Sequence, residues 1–177
     1  MFKLLSPFLA PFSRLLAIGF ILLNGALWFG VEYAEFPARA YSGMVETDFN
    51  LGLNNRIFGA LISSVHLGVL AYGLWAVAKI FSRLNEGKWY VPEFSQCLRR
   101  FGLSLVVFTL MIPVVQALMS LALTYDNEIG KRMIMLDVDA STAPISFVLL
   151  LIGVLLSLMA SVLVRAREVA EEYEKIV

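Results

Sequence analysis

This chain is short of chemistry-bearing residues. Among 177 residues there is one cysteine, Cys97, and one histidine, His66. A lone cysteine excludes an intramolecular disulfide and a thiolate metal cluster. A lone histidine excludes bis-His haem ligation and a multi-histidine metal site within one chain. No GxxxxGK[ST] loop, GxGxxG fingerprint, HExxH or GxSxG motif occurs. Charged residues make up only 16%, and 14 basic against 14 acidic side chains leave no net charge. There is no low-complexity segment and no clear internal repeat. Catalysis, a cofactor, a metal site and direct nucleic-acid binding are therefore not expected.

What the chain has is apolar length. It is 59% hydrophobic, with a mean hydropathy of +0.79. Four runs stand out, at 15–31, 57–78, 103–124 and 144–164. About 20 residues at 1.5 Å each cross a hydrocarbon core of about 30 Å. No water reaches that core, so each run must satisfy its own backbone, as a helix does. LLLIGVLLSLMASVLV, residues 149–164, lacks the polar face of a soluble amphipathic helix. A chain of this length could not wrap four all-apolar helices in a soluble shell. The expectation is one all-α domain over 1–177, with four transmembrane helices in a lipid bilayer.

Orientation is read from Lys and Arg near the helix ends. Lys3, Arg14, Lys79, Arg83, Lys88, Arg99, Arg100, Arg165, Arg167 and Lys175 fall on one side. Only Arg39, Arg56, Lys131 and Arg132 fall on the other. Both termini are expected in the cytoplasm, in a bacterial inner membrane. The outer loops carry Glu32, Glu35, Glu46, Asp48, Asp126, Glu128, Asp137 and Asp139, so the zero net charge hides a basic inner and an acidic outer face. A competing reading takes Ala38-Arg39-Ala40 as a signal-peptide cleavage site. The first run is longer than a usual signal core, and is kept as a span.

The outer loops, 32–56 and 125–143, are too long for simple turns. Parts of 43–52 and 132–139 alternate apolar and polar residues, which predicts two short paired strands, a small β layer over the bundle mouth. Irregular polar loops are the alternative. On the other side Asn85-Glu86-Gly87 reads as a turn. Pro92 suits the first turn of a helix, and Glu93 complements its positive end. Trp28, Tyr33, Trp75, Trp89 and Tyr90 are expected as anchors at the membrane interface. After Arg165 the chain reads as a helix leaving the membrane. Glu168 and Glu172 lie on one face of it, and Val169, Tyr173 and Ile176 on another.

Leu84-Asn85-Glu86-Gly87-Lys88-Trp89-Tyr90-Val91-Pro92-Glu93-Phe94, followed by Leu98-Arg99-Arg100-Phe101-Gly102, resembles the central motif of the YoaS-like family. The acidic ending, Arg167 to Val177, resembles that family's terminus. The chain departs from the pattern at Val91, where a hydroxyl residue is common, and at Tyr173, where Asn is. These are small four-helix bacterial membrane proteins of unknown function. The resemblance implies no catalytic residue. It implies a cytoplasmic protein partner, because members are often encoded beside a small helix-turn-helix regulator. Glu86, Gly87, Lys88, Trp89, Tyr90, Glu93, Arg99, Arg100, Glu171 and Glu172 form the candidate partner surface.

Polar residues within the spans mark the other candidate site. Asn24, His66 and Gln116 should lie at similar depth, about 10–14 Å from the outer helix ends at 1.5 Å per residue. Thr109, Pro113, Gln116 and Ser120 share one face of the third span, and Pro113 should bend it. Such a face could line a cavity for a lipid or small hydrophobic molecule. It could equally supply ordinary interhelical hydrogen bonds. Small residues recur at Ala60, Ser64 and Gly68, and at Gly153, Ser157 and Ser161. They are expected as packing faces within the bundle or between copies of the chain. The leading expectation is a non-enzymatic sensory or regulatory membrane protein. The alternative is a lipid or small-molecule binding or transport module.

Overall fold

A computed structural model describes residues 2–30, 33–42, 51–86, 92–124, 134 and 143–174. It contains α1 (Phe2–Phe29), α2 (Glu35–Ser42), α3 (Leu53–Asn85), α4 (Pro92–Thr124) and α5 (Ala143–Glu174). The four long helices are each long and apolar enough to cross a membrane. Each contains one of the predicted runs almost whole but extends beyond it. At 33 residues, α3 and α4 are about 50 Å long, against a core of about 30 Å. Their ends therefore stand in the headgroup layers or beyond. Large apolar side chains such as Phe8, Leu61, Leu110 and Phe147 are exposed, which suits contact with acyl chains.

Local signals set the helix ends. Gly52 precedes α3 without a side-chain cap. The Arg56 guanidinium reaches back to donate to the Leu51 carbonyl at 2.9 Å. Arg83 sits in the last turn of α3, where a cation complements the negative dipole end. Pro92 opens α4 with Glu93 in its first turn, as the sequence predicts. The helix runs unbroken through Pro113, although proline cannot donate to the Thr109 carbonyl.

The long helices pack in chain order: α1 on α3, α3 on α4, and α4 on α5. Among the described residues no substantial α1–α5 interface closes them into a ring. The bundle is thus open, with α5 held by α4. Gly102 and Gly153 bring these two helices together. A methyl on Gly102 would lie 2.6 Å from the Gly153 carbonyl oxygen, and one on Gly153 would lie 2.7 Å from that of Gly102. Only glycine permits that approach. Ser157 lies at the same crossing, whereas Ser161 is exposed.

No strand occurs among the described residues. The segments predicted to pair, 43–50 and most of 132–139, lie outside them. The first outer loop instead contains α2, which packs against α4 and more lightly against α1. Its Pro37, Ala38 and Ser42 are buried, while Glu35 and Arg39 pair at 3.8 Å on the exposed face. Ala38 joins Trp28, Met119 and Leu123 in a buried cluster, with Tyr41, Leu51, Ala60 and Ile62 against it. A second cluster, Ala76, Ile80 and Cys97, lies near the α3–α4 turn, flanked by Leu84, Phe94, Leu98 and Phe101. The helix pair therefore has a tied core at each end, one of them plugged by α2.

Candidate functional site

His66 projects from the middle of α3 and is only 5% exposed. Its Nε2 lies 3.0 Å from the Phe108 carbonyl oxygen on α4. A carbonyl can only accept, so Nε2 carries the proton and Nδ1 presents a lone pair. Nδ1 is buried and has no partner among the described residues. The Phe108 ring stacks on the imidazole with centroids 4.0 Å apart and planes at 8°. The Tyr41 ring of α2 meets it edge-on at 6.2 Å. Burial pushes the Tyr41 phenol above its ordinary value of 10.0, because the phenolate would lose its water.

The neighbouring polar groups are tied between α1 and α3. Asn24 Nδ2 donates to Ser64 Oγ at 3.1 Å. Trp28 Nε1 donates to Ser63 Oγ at 2.9 Å, and Ser63 Oγ in turn donates to the Gly59 carbonyl at 2.7 Å. Asn24 and His66 are both buried, whereas Gln116 is half-buried. On α4 the predicted polar face is divided. Thr109 and Ser120 are buried, but Pro113 is exposed. Thr109 Oγ1 donates to its own helix at the Leu105 carbonyl, 2.8 Å away, and Ser120 Oγ to that of Ala117 at 2.9 Å. These hydroxyls are turned to their own backbone.

Trp28 corrects the expectation of an interface anchor: it is 0% exposed and lies against Gly59. Of the Ala60, Ser64 and Gly68 stripe on α3, Ala60 packs against the Trp28 cluster as expected, and the tight glycine contacts lie beside the stripe. Gly59 and Ser63 face Trp28, and Gly73 meets Ser104. Ser64 does take part, through Asn24, but nothing lies within 4 Å of a methyl built on Gly68. A Gly-x-x-x-Ser spacing at 59–63 was the signal available for the true contact.

At the α3–α4 turn, Glu86, Glu93 and Arg100 of the candidate partner surface come together. With Arg14, Lys79 and Arg83 they line a cleft of about 430 Å³. Arg83 pairs with Glu86 at 3.2 Å and also with Glu93. The Arg14 guanidinium lies 5.8 Å over the Trp75 ring, a cation–π contact. Sequence reasoning left Arg14, Lys79 and Arg83 out of the site, although the charge count had put them at this end. Arg99 is exposed and does not line the cleft. Gly87, Lys88, Trp89 and Tyr90 lie outside the described residues. Glu171 pairs with Arg167 at 2.6 Å on α5, and Glu172 is exposed there.

Among the described residues the arrangement offers one unshared imidazole nitrogen, one half-buried phenol and a basic cleft. Among the described residues no three His, Cys, Asp or Glu side chains converge as a metal site would require. One family model, described as a protein of unknown function (DUF2975), matches residues 30–177. The whole of α1, with Arg14, Asn24 and Trp28, lies before the matched region. No curated protein and no solved structure matches the chain.

Proposed function

The chain belongs to the DUF2975 family of proteins of unknown function, and on that premise we propose a non-enzymatic regulatory membrane protein. In this reading both termini face the cytoplasm of a bacterial cell, which the ten-to-four excess of basic residues supports. The resemblance of 84–102 to the YoaS-like motif supports a place among the YoaS-like proteins. The α5 tail and the α3–α4 turn would bind a soluble partner, for which a small helix-turn-helix regulator is the candidate.

One observation carries the reading. Every residue from 161 to 173 is exposed on α5, although the sequence becomes charged from Arg165. Val169 and Tyr173, at 50% and 68% exposure, lie one turn apart on a helix that leaves the membrane. Apolar groups at that spacing suit helix-in-groove recognition. The test is whether a small helix-turn-helix regulator co-produced with the full chain is held at the membrane, and whether it is released when Val169→Asp and Tyr173→Asp are introduced. Loss of retention with unchanged protein level supports the proposal. Unaltered retention and regulator output, in these variants and after deletion of 165–177, refutes it.

A second reading, a lipid-binding module, is favoured by an open apolar groove on the α3–α4 pair.

A further inference from the structure

Arg100 lines two spaces at once. One is the polar cleft at the α3–α4 turn. The other is an apolar groove, also of about 430 Å³, walled by Val65, Val69 and Tyr72 of α3 and Leu103 and Val107 of α4. Residues 65, 68, 69 and 72 follow one face of α3, and 100, 103, 104 and 107 one face of α4. The groove therefore runs along the helix axes and opens into the cleft at Arg100. From Val65 to the level of Lys79 the path is about 21 Å at 1.5 Å per residue. One leaflet contributes about 15 Å of hydrocarbon, so the groove accommodates an acyl chain and the cleft falls at headgroup depth. Gly68 forms part of the floor, with open space where a side chain would stand.

The cleft selects the sign of the headgroup. Its two carboxylates, Glu86 and Glu93, are both held by Arg83. Arg14 of α1, Lys79 of α3 and Arg100 of α4 remain around it. Among the described residues Lys79 and Arg100 have no ion-pair partner. Three cations from three helices at the mouth of an apolar groove complement a phosphate ester. The ammonium of a zwitterionic lipid would instead enter a cationic cleft whose carboxylates are already engaged.

We propose that this groove and cleft hold one anionic phospholipid. Its phosphate lies among Arg14, Lys79 and Arg100, and an acyl chain lies between α3 and α4. The proposal rests on the lipid-binding reading and deepens it by naming the ligand class and its seat.

The experiment is native mass spectrometry of the full chain released from detergent with equal amounts of phosphatidylglycerol and phosphatidylcholine. One phosphatidylglycerol should be retained in clear preference. Lys79→Gln and Arg100→Gln should each lower that preference about fivefold, the weight of one basic residue at an anionic surface. Arg99→Gln, outside the cleft, should leave it intact. Val107→Phe, which fills the groove, should lower retention of either lipid, and this variant with Lys79→Gln carries the test if Arg100→Gln fails to fold. Equal retention of the two lipids, or an undiminished preference in the Lys79→Gln, Arg100→Gln double variant, overturns the proposal but leaves lipid binding standing. Retention of neither lipid overturns both. Inorganic phosphate that displaces the lipid at millimolar concentration would show a soluble-anion site instead.

Discussion

Gly59→Ala should loosen the α1–α3 interface. A methyl on Gly59 would lie 2.5 Å from Trp28 Cζ3 and 2.7 Å from Cζ2, well inside the contact optimum of about 3.5–4.0 Å. The indole has little freedom to retreat, because it is wholly buried and its Nε1 is bound to Ser63. Overpacking of this kind costs about 1–3 kcal/mol. Losing the indole hydrogen bond adds about 0.6 kcal/mol, the mean for interhelical bonds in membranes. Against these, alanine is favoured over glycine in a helix by about 1 kcal/mol. The net expectation is a loss of about 0.5–2.5 kcal/mol. Gly68→Ala on the same helix meets nothing within 4 Å, so it should keep the propensity gain and stabilise by up to about 1 kcal/mol. Unfolding of both variants in detergent, by heat or by titrated SDS, measures the pair. Adding Trp28→Leu to Gly59→Ala removes the clashing ring, and the double-variant cycle should show strong coupling. Gly59→Ala as stable as the parent, or Gly68→Ala equally damaging, would refute the reasoning.

His66→Leu should cost little stability or none. It forfeits one hydrogen bond of about 0.6 kcal/mol and a ring stack of about 0.5–1.5 kcal/mol. It also removes a buried nitrogen with no partner among the described residues, which costs about 1–3 kcal/mol. A loss above about 2 kcal/mol in detergent unfolding would show that Nδ1 has a partner after all. For Tyr41 the sign follows from burial. The folded state holds the phenolic proton beyond the ordinary value of 10.0, whereas the unfolded state releases it there. This contribution to stability is complete below about pH 10 and falls as the pH rises toward the folded value. Tyr41→Phe should therefore flatten the alkaline limb of the stability curve, and an unchanged limb would contradict the burial of Tyr41.

The four spans were legible because each is a continuous local signal, a run of apolar residues as long as a bilayer is thick. Their true ends were less so. At both ends of α3 the helix continues through polar sequence, where hydropathy falls although hydrogen bonding does not; the helical tail of α5 was legible from its charge pattern. The short α2 left no run to detect. Pro37 and the charges at Glu35 and Arg39 read as loop, and much of the burial of Ala38 comes from Met119 and Leu123 of α4, far away in sequence. Trp28 followed the rule for interface aromatics in sequence and broke it in space, because Ser63 and Gly59 offer its ring a hydrogen bond and a hollow. Which face of one helix meets which face of another is not periodic information within either segment. For the same reason Asn24 and His66 could be identified as buried from depth and polarity, while Tyr41 and Phe108 could not be assigned to the imidazole.

The chain-order packing has a consequence for biogenesis. As each long helix leaves the ribosome and enters the membrane, its partner is the one made just before it: α3 finds α1, α4 finds α3, and α5 finds α4. Nothing in that series must wait for the last segment, and such nearest-neighbour assembly suits synthesis that runs from the N-terminus. The exception is α2. It is synthesised between α1 and α3, yet its main packing surface is α4, which follows much later. Until α4 is in place, Ala38 lacks Met119 and Leu123, and the imidazole of His66 lacks the stacked Phe108 ring. The plug can therefore settle only in the final stages, which makes a nascent chain halted before α4 a form of this protein with its polar centre still uncovered.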